Sequence, residues 1–266
     1  MPEQMLFSLS AIIALLPASF LPLRRNHQAD VVYWLVLAVA VAGPMNWVLA
    51  SMAGSWRTDL TMTLWITVTA SMAAFCVITV LMRESWRLTP LLTAYMVLLG
   101  ILATIWAQAP QKPLDLADLS GWIGVHIAVS VATYALVTIA AVAALGAFLQ
   151  ERALKNKHPT ALTRLLPSVA DCETLLVRLL VLGEIVLGVG LATGMALQYG
   201  ESRTLLVADH KTILTITTFV VIGALLIAHF KTGLRGRRAA RLVLLAYLLL
   251  TLGYPGVKFV TDVVLT

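Results

Sequence analysis

Apolar residues fall in long runs broken by short polar stretches, and eight runs are long enough to cross a bilayer: 5–23, 31–53, 60–82, 88–106, 121–149, 175–199, 212–230 and 240–262. A helix needs about 20 mostly apolar residues to span ~30 Å of hydrocarbon. Lipid admits only helices or closed barrels, because every backbone polar group must find a partner inside the structure. No run alternates with the period of two that a barrel strand requires. The pattern predicts an all-α polytopic membrane protein, a bundle of eight transmembrane helices.

The polar connections alternate in positive charge. Segments 24–30, 83–87, 150–174 and 231–241 hold 13 Lys and Arg, whereas the N-terminus, 54–59, 107–120 and 200–211 hold 4. An excess of positive charge marks cytoplasmic loops, so the first set faces inward and both termini face the outer, periplasmic side. The chain is 60% hydrophobic and 12% charged, against about 25% charged in a soluble domain. Eight spans leave no room for a sizeable soluble domain. The +6 net charge is topological and does not point to nucleic acid. The first run follows Glu3 without Lys or Arg and reads as a retained helix, not a cleaved signal. Cys76 in a span and Cys172 in a basic loop form no CxxC pattern. Connection 150–174 predicts a helical extension of span five, then a short surface piece at Ala161–Leu166.

Polar residues inside spans are costly, about 2.5–3.5 kcal/mol for an ionisable group, and each invites a functional reading. Glu184 falls about 13 Å into a span starting near 175, at 1.5 Å per residue. It reads as a proton or cation site, as a partner for a basic group, or as a protonated carboxyl bonded inside the bundle. From His126, positions i+4, i+7 and i+8 are Ser130, Thr133 and Tyr134, a polar stripe for the bundle interior or a cavity. His210 and His229 bracket span seven about 28 Å apart, too far to share a metal. His126 and His210 fall at the same outer face on different helices and could bracket a ligand, as axial histidines bracket haem iron. Gly190 and Gly194 form a GxxxG step for close helix approach, and Pro44 and Pro255 mark kinks.

The stretch from Gly121 through Trp122, His126, Ser130 and Tyr134 resembles the helix that carries the first external histidine of CcsA/CcmC-type cytochrome c assembly proteins. The Leu175–Met195 helix resembles their glycine-bearing helix. Asp209-His210-Lys211-Thr212 lies where that family has Asp-Pro-Lys-Glu-Thr, and Ile227–Lys231 resembles the segment around its intramembrane histidine. The resemblance covers about residues 119–260, leaving 1–118 as four variable spans before a core at 119–266 within a single membrane domain. No Trp lies between Gln198 and Lys211, and no His between Lys258 and Thr266; with His210-Lys211-Thr212 in place of Pro-Lys-Glu-Thr and its eight-span size, the chain resembles the small YpjD/HemX-like branch of this haem-handling superfamily.

What the resemblance implies is a protein of the bacterial plasma (inner) membrane that binds haem b at its outer face and supports cytochrome c biogenesis or haem delivery. It would be a binding or assembly factor, not an enzyme. His126 matches the first external ligand and His229 the intramembrane one. His210 would substitute as second ligand to the iron, Trp122 and Tyr134 would wall the site, and Asp209 and Lys211 would flank it. Its partners would be membrane lipid and other cytochrome assembly or membrane proteins. Two other readings stay open: a non-catalytic partner or regulator that kept the scaffold, and a small proton-linked transporter using Glu184.

Overall fold

The computed structural model describes residues 2–21, 29–52, 56–57, 59–107, 113–114, 121–203, 209–234 and 236–260. Arg24, Arg25, His27, Lys112 and Arg235, which bear on the expected connections, lie outside them. In chain order the helices are α1 (Pro2–Phe20), α2 (Val31–Met52), α3 (Leu60–Leu81), α4 (Thr89–Ile105), α5 (Gly121–Asn156), α6 (Ala161–Leu165), α7 (Val169–Ser202), α8 (His210–Thr232), α9 (Gly236–Thr251) and α10 (Val257–Phe259). A two-residue antiparallel ladder pairs β1 (Trp56–Arg57) with β2 (Pro113–Leu114).

Among the described residues, seven helices are long and apolar enough to cross a membrane. The expected first span departs from this. It is helical, but its apolar part, Met5–Phe20, is shorter than the other seven and covers about 24 Å at 1.5 Å per residue. The helix ends are set by local chemistry. Asp59 caps α3 by accepting from the Met62 N–H, and Pro90 sits at the start of α4, where its missing N–H costs nothing.

The chain divides into two compact units, residues 1–118 with 258–266, and residues 119–257. In the first, α1 packs on α2 and α4, and α3 on α2 and α4. Trp65 is fully buried and stacks on Trp47 with ring centroids 5.3 Å apart. Trp47 donates to Ser8 Oγ at 3.0 Å, and Ser19 to Thr93 Oγ1 at 3.0 Å, so the seams between apolar helices carry matched polar pairs. Pro44 lies inside α2, which continues as a helix on both sides of it.

In the second unit α5 and α7 make the main interface, and α9 packs on both α5 and α8. Both long helices outrun their apolar runs. α5 extends to Asn156, and α7 starts at Val169, earlier than the expected 175, because Ser168 Oγ accepts from the Asp171 N–H at 3.1 Å. Cys172, expected in a loop, is therefore buried in the first turn of α7. The surface piece forms as α6, closed by reciprocal Thr160–Thr163 capping. Gln150 Nε2 lies 2.7 Å from Thr163 O and 3.0 Å from Pro167 O, tying this connection to α5. Gln150→Leu should strand those carbonyls, at about 1–3 kcal/mol. Trypsin cleavage at Arg164 in the membrane-inserted protein should speed up, while unchanged cleavage would deny the tether.

Candidate functional site

α5 and α7 run antiparallel, and glycines on α7 set their separation. A Cβ on Gly183 would meet Val137 Cγ2 at 3.4 Å, one on Gly190 would meet Val129 Cγ1 at 3.5 Å, and one on Gly194 would meet His126 Cε1 at 3.1 Å. The expected close approach at Gly190 and Gly194 thus has a specific use, because the bare backbone of Gly194 is the surface on which the imidazole lies.

The ring's orientation follows from a chain of hydrogen bonds. Thr193 Oγ1 lies 3.0 Å from the carbonyl of Gly190, which can only accept, so the hydroxyl proton is committed there. His126 Nδ1 lies 3.0 Å from the same Oγ1 and must then be the donor. The ring is also hydrogen-bonded to the Gly190 backbone, and the network favours the Nδ1–H tautomer, in which Nε2 is the acceptor nitrogen. This is the arrangement by which a protein prepares a histidine as a metal ligand.

His126 lines a cavity of about 380 Å³ between α5, α7, α8 and the end of α9. Small-molecule sites typically occupy about 300–1,000 Å³. Leu187, Leu191, Met195 and Leu250 give it apolar walls. Tyr134 lies at the wall with its hydroxyl 3.1 Å from Thr251 Oγ1 and 3.3 Å from Tyr247 Oη, and Thr138 joins Tyr247 at 3.3 Å. Thr138 Oγ1 donates toward Tyr247 Oη, and the Thr138 and Thr251 hydroxyls also reach the Tyr134 and Tyr247 carbonyls four residues back. Beyond Thr251 the chain widens into a π-helical stretch, Leu252–Gly256, which absorbs Pro255 and puts Gly253 and Tyr254 on the cavity wall. Pro255, expected to mark a kink, lies within this stretch.

At the mouth, Asp209 caps α8, its Oδ1 accepting from the Thr212 N–H at 2.7 Å. That bond, with the Thr212 hydroxyl, holds the carboxyl below its ordinary range. Asp209, Lys211, Thr212 and Thr215 all line the cavity. His210, the first residue of α8, is exposed and does not line it, although both its neighbours do. Trp122, one turn before His126, is 62% exposed and also lies off the wall.

The remaining expected residues lie elsewhere. His229 is at the far end of α8, where Nδ1 donates to Leu234 O at 2.9 Å beside a space of about 20 Å³. Glu184 lies midway along α7 against Gly223 of α8. Among the described residues no group of three His, Cys, Asp or Glu is placed to hold a metal ion. The sequence reading did not single out Thr193, Tyr247, Thr251 or Gly253. Tyr247 was within reach as the lone aromatic in the apolar run Leu242–Leu250, whereas the role of Thr193 depends on packing across two helices.

Asp209 predicts a pH response. Its folded carboxyl value is lowered, so the cap's contribution is complete above the ordinary carboxyl range and is lost as pH falls through the lowered value. Asp209→Ala should fray the first turn of α8 at neutral pH, a loss of about 1 kcal/mol. Amide exchange at Thr212 and Ile213 should rise there, and Asp209→Asn should keep most of the protection.

Residues 35–265 match the family described as Cytochrome C assembly protein. The chain is 54% identical over 270 residues to an "Uncharacterized 28.8 kDa protein in nifR3-like 5'region" of Azospirillum brasilense, covering 100% of both. It is 28% identical over 182 residues to the inner membrane protein YpjD of Escherichia coli (strain K12), covering 68% of this chain and 67% of that protein. No solved structure matches.

Proposed function

The chain belongs to the Cytochrome C assembly protein family, and from that premise we propose that it binds haem b in the cavity beside His126, in support of cytochrome c biogenesis or haem delivery. The observation that carries this reading is the hydrogen bond of His126 Nδ1 to Thr193, which leaves Nε2 as the acceptor nitrogen of a residue lining a cavity with apolar walls. Haem bound there would supply an iron whose axial positions take neutral imidazole nitrogens.

His126 is the first ligand in this proposal. His210 is the second, which requires its side chain to turn from solvent toward the cavity that Asp209 and Lys211 already line. Lys211 offers a cation for acidic substituents of the ligand, and Tyr134 holds the inner wall through its hydroxyl network. Trp122 lies one turn before His126 on the same helix and would have to turn inward to wall the ligand. His229, with its own Nδ1 fixed by Leu234 O, is a separate station at the other end of α8.

The proposal carries a topology with it. Eight helices span the bacterial plasma membrane, α1 included, and both termini lie on the periplasmic side. The first four spans are the variable part and 119–266 the core. Lipid surrounds the bundle, and other cytochrome assembly or membrane proteins receive or deliver the haem. The chain acts as a binding or assembly factor with no catalytic residue of its own. A second reading, a partner or regulator that kept the scaffold without haem chemistry, is favoured by the absence of Trp between Gln198 and Lys211.

The test is the absorption spectrum of the purified full-length protein from haem-replete cells. It should show a low-spin, six-coordinate haem, lost in His126→Ala and converted to a five-coordinate form in His210→Ala. Thr193→Val should keep the colour but weaken haem binding about 10–100-fold, the usual cost of removing a ligand's supporting hydrogen bond. A colourless protein that also fails to bind haem on titration would remove the haem reading and leave the partner reading standing.

A further inference from the structure

Midway along α7, outside the cavity, a carboxyl group is held in the seam with α8. Two reciprocal contacts lock that seam. Gly188 of α7 accepts the ring of Phe219, whose Cε2 would lie 3.4 Å from an added Cβ, and Gly223 of α8 accepts Glu184, whose Oε1 would lie 3.0 Å from one. The pairs are each four residues apart and run in opposite directions, as two antiparallel helices in close register require. Glu184 is therefore a packed part of the interface. It lies about 22 Å from the start of α7 at 1.5 Å per residue, and about 27 Å from its end.

Among the described residues, no ionisable group is placed to compensate it. Glu184 Oε2 is buried with no hydrogen-bond partner among the described residues. α7 packs on α5 and α8. At this level α5 presents Val137 and Leu136 to the neighbouring Gly183, and α8 presents Gly223 and Phe219. The nearest titratable side chain of α5 by sequence is Tyr134, whose hydroxyl is engaged by Tyr247 and Thr251. On α8 the nearest is His229, six residues from Gly223, with Nδ1 on Leu234 O. On α7 the nearest are Arg178, six residues away, and Glu173, which accepts from the Gly236 N–H at 2.7 Å. A carboxylate desolvated without a counter-charge takes up a proton instead of remaining ionised.

We propose that Glu184 is a proton-binding site in the α7–α8 seam, a membrane-embedded carboxylic acid that carries its proton at neutral pH. The site is independent of haem, and its ligand is the proton itself. A further consequence is a modification chemistry. A hydrophobic carbodiimide such as dicyclohexylcarbodiimide adds across the protonated carboxyl. The proton goes to one nitrogen and the carboxyl oxygen bonds to the central carbon, and the resulting O-acylisourea rearranges to an N-acylurea with nothing released.

The test uses the full chain in phosphatidylcholine vesicles at neutral pH. The infrared spectrum should contain a protonated-carboxyl C=O band that moves on deuteration and disappears in Glu184→Gln, while that variant keeps the parent's thermal stability. Dicyclohexylcarbodiimide should label Glu184 in the unmodified protein, mapped by mass spectrometry, and a water-soluble carbodiimide should not. The labelling decides the matter if the variant fails to insert. Absence of a Glu184-dependent acid band, or labelling confined to other carboxyls, would overturn the assignment. A haem-free preparation would leave it untouched.

Discussion

Between two helices that both face lipid, association gains little from burying apolar surface, since acyl chains are as apolar as leucine. What holds α5 to α7 is close contact and the His126–Thr193 hydrogen bond, and both depend on α7 presenting bare backbone. Gly183, Gly190 and Gly194 admit Val137, Val129 and His126 in antiparallel order. The same approach brings Thr193 within 3.0 Å of the imidazole, so the packing that builds the interface also fixes the tautomer. Fold and site share one cause here. A side chain at Gly194 would damage both together.

Polar groups in this unit are matched to the depth at which they occur. Threonines return their protons to carbonyls three or four residues back, as Thr193, Thr218 and Thr251 do, and stay available as acceptors. Tyr134 and Tyr247 join the same network, so α5 and α9 are linked through four hydroxyls. Each such interhelical bond is worth about 0.6 kcal/mol in membranes, up to ~2, so the network's main effect is to fix geometry. The π-helical stretch at Leu252–Gly256 belongs to the same economy. It brings Gly253 and Tyr254 to the cavity wall, where polar groups are tolerated.

The sequence made the membrane class and the helix order legible, because runs of about 20 apolar residues have few alternative explanations. It did not show how far α5 and α7 continue. Their ends at Asn156 and Val169 are decided by Ser168 and by the Gln150 tether, interactions that a hydropathy count ignores. His126 and Tyr134 were legible as one polar stripe on a helix face. Thr193 was not, since a threonine in a span normally satisfies itself on its own helix, and its second role appears only when α5 lies against it. The pairing of His126 with His210 was read from matching depth alone. Depth brings Asp209 and Lys211 to the cavity, but the direction of the intervening side chain depends on the turn of α8 around its cap.

The measurement that tests the central claim most directly is the nitrogen-15 spectrum of selectively labelled histidine in the haem-free protein. The structure predicts that His126 is neutral, with a protonated Nδ1 and a bare Nε2, and that Thr193→Val releases this preference. A spectrum with the proton on Nε2, or with the two tautomers equally populated before any substitution, would contradict the account, because the ring would then have no prepared face to offer a metal.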